Sequence, residues 1–137
     1  MSATVRFSFE DLEVWKKGVA FAEHAIDAIE SFGSERKHYR LIDQLEAAVT
    51  SIPMNIAEGK GRFSKREFIQ YLYIARGSLF ETLTLLEVFR RKEWIDNSVY
   101  ENLRGEAGEI GKMLSALIRS LKEASDVHEP LAMTYEP

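Results

Sequence analysis

Acid–base or metal chemistry would fall first to the three histidines of this 137-residue chain, His24, His38 and His128, and their spacing supplies neither. They stand far apart, with no two-histidine motif among them. Glu35 and His38 have the Glu-x-x-His spacing of carboxylate-bridged metal bundles, but that architecture needs the motif twice together with two further glutamates. One copy beside a loop predicts no metal centre, and nothing predicts a cofactor. The chain has no cysteine, which removes disulfides, thiolate ligands and thiol nucleophiles together; with no signal-peptide pattern at its N-terminus it reads as a cytosolic protein. It carries neither a phosphate-cradling glycine loop nor a nucleophile elbow. These residues point away from catalysis.

What remains is a polar line and several groups of basic residues. Gln44, Ala48, Ser51, Asn55 and Glu58 recur at steps of four and three, so a helix carries them on one face. They read either as a recognition ladder or as groups that fix helix register by bonding backbone that Pro53, in the same helix, leaves unpaired. Arg36, Lys37 and Arg40 gather at the start of that helix and Lys60, Arg62, Lys65 and Arg66 after its end, while Arg90, Arg91 and Lys92 close the next one. All ten are candidate nucleic-acid contacts. The alternative is that they complement helix dipoles and solvate loops, since only Tyr39 and Phe63 interleave with them as a stacking platform would require. The formal charge of −4 denies the whole molecule steering towards a polyanion, but it is unevenly spread: residues 33–66 carry 7 basic and 4 acidic groups, residues 93–137 carry 4 and 9. Any such contact must be local.

Holding these residues in place requires elements, and the apolar periods supply four helices and no strand. The first opens on Ser8 and Asp11, spaced as a capping box, and carries Leu12, Trp15, Val19, Ala22, Ile26 and Ile29, with Val14, Gly18, Phe21, Ala25 and Phe32 as a second line beside them. The second spans about His38 to Glu58, with Leu41, Leu45, Val49, Ile52 and Ile56 inward, a kink expected at Pro53, and Gly59 and Gly61 as stop signals. Ser64 and Glu67 cap the third, about Lys65 to Lys92, whose main stripe is Phe68, Leu72, Ala75, Leu79, Leu83 and Leu86. Further apolar residues almost encircle it, and Ile69, Tyr73 and Phe80 are the candidate subunit interface, because a helix apolar nearly all round must be covered nearly all round. Ser98 and Glu101 cap the fourth, with Val99, Leu103, Ile110, Leu114, Leu117 and Leu121 inward. Its glycines Gly105, Gly108 and Gly111, like Gly77 beside Ser78 in the third, each cost up to about 1 kcal/mol against alanine and suggest either a neighbour passing close by or simply a weak helix start. Gln70, Arg76, Glu81 and Glu87 interrupt the most apolar stretch and argue against a membrane span. Short links give an all-α, antiparallel up-down-up-down four-helix bundle over residues 9–124, with an N-terminal extension at 1–8 and a flexible tail at 125–137.

Two segments, QLEAAVTSIPMNIAEG (Gln44 to Gly59) and SKREFIQYLYIARGSLFETLTLLE (Ser64 to Glu87), with the opening FEDLEVWKKG, resemble the bacterial four-helix-bundle family named after intervening sequences in large-subunit ribosomal RNA genes. The distinctive core is Ser51, Ile52, Pro53, Asn55, Ile56, Ala57, Glu58 and Gly59. That resemblance implies a cytosolic bundle assembled as a ring-like homopentamer and carrying a ribosomal-protein label without an established activity. The chain is more distantly similar to the accessory protein of diversity-generating retroelements, which is pentameric and binds nucleic acid through a strongly basic surface; the acidic balance here departs from that surface. The sequence thus predicts a non-enzymatic homo-oligomeric scaffold whose partners are itself and structured RNA or a ribonucleoprotein. The alternatives are a protein-only interaction module and a small-ligand or metal binder within the bundle.

Overall fold

The apolar periods form four long helices in a computed structural model that describes residues 4–32 and 38–125. They are α1 (Glu13–Phe32), α2 (Tyr39–Lys60), α3 (Lys65–Arg91) and α4 (Asn97–Ser125), preceded by a 3-10 turn at Ser8–Asp11. Each helix packs on its neighbours in sequence, and α1 closes the ring against α4. Pairs across the interfaces run in opposite senses: Ser51 meets Ser78 and Gly59 meets Phe68, while Lys17 meets Glu109 and His24 meets Glu106. Rising numbers on one helix face falling numbers on the next, which is the up-down-up-down bundle. Phe21, Leu45, Ile52, Ile56, Leu72, Leu86, Phe89, Ile110 and Leu114 fill its axis, each worth about 1.5–3 kcal/mol of burial. Among the described residues no helix is long and apolar enough to cross a membrane.

Several local expectations are corrected. Ser8 and Asp11 belong to the separate 3-10 turn, where the Phe7 amide donates to Glu10 Oε1 at 2.8 Å, and α1 begins only at Glu13. On α1 Val14, Gly18, Phe21 and Ala25 are buried together with Ala22 and Ile29 of the first line, whereas Val19 of that line is 40% exposed. The Ser64 hydroxyl does cap α3, accepting from the Glu67 amide at 3.1 Å. Ser98 instead lies inside the first turn of α4, which starts at Asn97. As the apolar period implied, Pro53 sits within one continuous α2.

Gly59 does not stop α2. It is buried inside the helix, and a Cβ there would stand 2.7 Å from Tyr71 Cβ and 2.9 Å from Phe68 Cδ1. The missing side chain is what lets α2 approach α3 as the chain turns back at residues 61–64. At the other end, α3 closes with Glu93 in the left-handed region at φ 63°, the Glu93 amide on Arg90 O at 2.9 Å and the Trp94 amide on Phe89 O at 2.8 Å. This C-terminal motif brings Trp94 back over Phe89. The indole also stacks on His38 at 4.1 Å between ring centroids, fastening the start of α2 to the α3–α4 link.

Candidate functional site

The helix-2 polar line is mostly consumed in packing. Ser51 Oγ and Ser78 Oγ lie 2.8 Å apart across α2 and α3, and Asn55 Nδ2 donates to both Ser51 O and Ser51 Oγ at 2.8 Å. Ser78 is buried beside Thr82, whose hydroxyl donates to Ser78 O at 2.8 Å. The carbonyl that Pro53 deprives of a donor belongs to Val49, and none of these bonds reaches it, so the line fixes α2 against α3 without repairing the backbone at the proline. Gln44 and Glu58, at the two ends, are exposed, and Glu58 accepts from Arg62 Nη2 at 2.6 Å. On the opposite side of α2, Ile52 is fully buried and Pro53 packs on Gly18 of α1, where a Cβ would sit 3.5 Å from Pro53 Cβ.

The basic residues at the helix ends are partly neutralised. Arg62 donates to Glu58 and, also at 2.6 Å, to the Tyr71 hydroxyl. Arg90 and Arg91 share one carboxylate, Glu87, at 2.6 and 2.7 Å. Hydrogen bonds from Arg90 first, then Arg91 and Tyr100, hold the Glu87 carboxyl down to about 2. Arg40, Lys65 and Lys92 are exposed, Lys60 stands 5.9 Å from the Phe68 ring centroid, and Arg66 is half-buried. Arg36 and Lys37 lie outside the described residues, as do Glu35, His128 and the tail beyond Ser125.

The three interface candidates separate. Ile69 is buried in the chain's own core, Tyr73 lines the α3–α4 groove, and Phe80 is 55% exposed. Beside Phe80 the outer side of α3 also exposes Ile74, at 50%, and Val88, and a Cβ on Gly77 would meet nothing within 4 Å. Of the α4 glycines only Gly111 has a close neighbour, Leu79 at 3.5 Å; Gly105 and Gly108 face open space.

A cluster unmarked in the sequence lies between α3 and α4, where Tyr73, Arg76, Ser115, Ile118, Arg119 and Lys122 line a groove of about 230 Å³. Lys122 Nζ donates to the Tyr73 hydroxyl at 2.9 Å, and the Arg76 guanidinium lies 4.9 Å from the Tyr73 ring centroid. On the α1–α4 side, His24 Nδ1 lies 2.9 Å from Glu106 Oε1, a hydrogen bond that raises the imidazole above its ordinary range. Among the described residues no group of three histidine or carboxylate side chains is placed to hold a metal ion.

The family model described as 23S rRNA-intervening sequence protein matches residues 10–116, which takes in α1, α2 and α3 entire and most of α4. The chain belongs to this family. A solved protein of unknown function from the S23 ribosomal protein family of Bacteroides thetaiotaomicron is 31% identical, with a TM-score of 0.72 over 77% of this chain and 97% of that one. No curated protein matches the chain.

Seen on this member of the 23S rRNA-intervening sequence protein family, the Ser51–Gly59 segment joins three helices. Pro53 docks on α1, Ser51, held by Asn55, bonds to Ser78 of α3, and Gly59 lets α2 lie close against α3. Sequence reasoning missed Arg76, Ser115, Arg119 and Lys122. The steps of four and three from Ser115 to Lys122, and of three from Tyr73 to Arg76, are visible in the chain, but only the register of α3 on α4 joins them.

Proposed function

We infer that the protein is a non-enzymatic scaffold that assembles with copies of itself, with the pentamer that the family resemblance implies as its stoichiometry, and that its further partner is RNA or a ribonucleoprotein. The observation that carries the assembly is the outer side of α3. Ile74 and Phe80 are half exposed or more on either side of Gly77, and Val88 continues the face two to three turns on. Apolar side chains left in water lose about 25 cal/mol for each Å² that a partner would cover. Gly77 adds to this, because it costs up to about 1 kcal/mol in a helix interior and nothing among the described residues requires it; a helix from a second copy lying close against it would.

Light scattering at micromolar concentration tests the reading. Wild type should give a multiple of the 15.7 kDa chain mass, and the double substitution Ile74→Glu with Phe80→Glu should give the chain mass with its helical circular dichroism retained. A monomeric wild type would refute assembly. The protein-only module draws its support from the pairing of Arg62, Arg90 and Arg91 with Glu58 and Glu87, which removes much of the charge that helix-end RNA contacts would use.

A further inference from the structure

We propose that the groove between α3 and α4, lined by Tyr73, Arg76, Ser115, Arg119 and Lys122, is a phosphate-binding site that takes the backbone of RNA. The assignment rests on the RNA part of the reading above and not on assembly. Its first support is charge left uncompensated. In the helix-end clusters Arg62 is tied to Glu58, and Arg90 and Arg91 are tied to Glu87. Arg76 and Arg119 form no ion pair among the described residues, although Glu123 stands one turn beyond Arg119 on the same helix. Like charges gathered on facing helices repel, and an anion between them relieves that repulsion.

The second support is the match of donors to ligand. Two guanidinium forks, one ammonium and the hydroxyls of Ser115 and Tyr73 line one concavity. Arginine's planar donors suit the oxygens of phosphate, with lysine adding a point charge. Tyr73 holds Lys122 through its hydroxyl and carries Arg76 against its ring, so it orders two of the three cations before any ligand arrives. Helix-dipole compensation accounts for Lys122, in the last turn of α4, but not for Arg119 a turn earlier or for Arg76 in the middle of α3.

Size and shape then select the source of the phosphate. At about 230 Å³ the groove is smaller than the roughly 300–1,000 Å³ of small-molecule pockets. Cations occupy the ring of Tyr73, the aromatic residue that lines the groove, so that face is not offered for a base to stack on. Such a site reads backbone and not sequence. Being open to solvent, it would hold a lone phosphate weakly, whereas a polyanion gains from counterion release at each contact.

The test is fluorescence anisotropy with a labelled oligouridylate at about 50 and 200 mM salt, on wild type, Arg76→Gln/Arg119→Gln and Arg90→Gln/Arg91→Gln, each first checked by light scattering and thermal melting. Removing two phosphate contacts should weaken binding at low salt by at least about tenfold and reduce the slope of log affinity on log salt by about 1.4. The Arg90/Arg91 variant should lose less affinity and less salt dependence than the Arg76/Arg119 variant, because Glu87 already neutralises one of those two charges. Wild-type binding with equal loss in both variants, or in the Arg90/Arg91 variant alone, would overturn the site while leaving RNA as partner. A wild type that binds no RNA at low salt would overturn both. Saturation by pyrophosphate with no RNA bound would show a free-anion site and overturn the assignment to a backbone.

Discussion

Replacing Gly59 by alanine should destabilise the protein even though alanine is the better helix former. Within a helix the change is worth up to about 1 kcal/mol in alanine's favour. Against it stands the new Cβ, 2.7 Å from Tyr71 Cβ, 2.9 Å from Phe68 Cδ1 and 3.3 Å from Phe68 O. Ordinary carbon contacts lie at about 3.5–4.0 Å, so the overlap approaches 1 Å. Phe68 Cδ1 can be displaced by a ring movement, but Tyr71 Cβ and Phe68 O are fixed to the α3 backbone, and the helices must part. Overpacking of this kind costs about 1–3 kcal/mol. The balance is a loss of up to about 2 kcal/mol, and with about 3–5 °C per kcal/mol at this chain length the melting temperature should fall by several degrees. Gly105→Ala is the matched control, because its Cβ meets nothing; it should gain about 0.5–1 kcal/mol. Thermal melts of the three proteins at one concentration, so that assembly contributes equally, give the comparison. A Gly59→Ala protein that melts at or above wild type would refute the reading of Gly59 as the close-approach point of α2 on α3.

Asn55→Ala should lose about 1 kcal/mol, since it removes the bonds to Ser51 that hold the hydroxyl towards Ser78, whereas Glu58→Ala should lose well under 1 kcal/mol, its partner Arg62 being at the surface; denaturant unfolding distinguishes them. Stability should also depend on pH through His24. Its folded-state pKa is raised, chiefly by the hydrogen bond to Glu106, so the stabilisation is complete below the ordinary imidazole value and is lost as pH rises through the raised one. Melts across about pH 5 to 8 should show that decline in wild type, and His24→Gln should flatten it.

The number of helices, their order and most of the inward residues were legible in the chain, because a wide apolar stripe with period near 3.6 has one way to leave water. The same is true of the Ser64 cap, whose partners lie three residues apart. Sequence could also group Ser51, Asn55 and Glu58 on one face, and local spacing is all that such a grouping needs. What it could not supply was contact across helices. Gly59 resembled a terminator because glycine ends helices and opens them to neighbours alike, and only the position of Phe68 and Tyr71 distinguishes the two uses. On α1, two apolar lines were equally periodic, and the burial of Phe21 over Val19 was decided by where α2 and α4 lie. Arg62, Arg90 and Arg91 looked available in the chain, but Glu58 and Glu87 are bonded to them, and Arg76 and Arg119, unremarkable 43 residues apart in the chain, were brought to one groove by the antiparallel register of α3 and α4. Periodicity fixes which side of a helix is apolar; the packing of whole helices, a sum over contacts between residues distant in sequence, decides what each side meets.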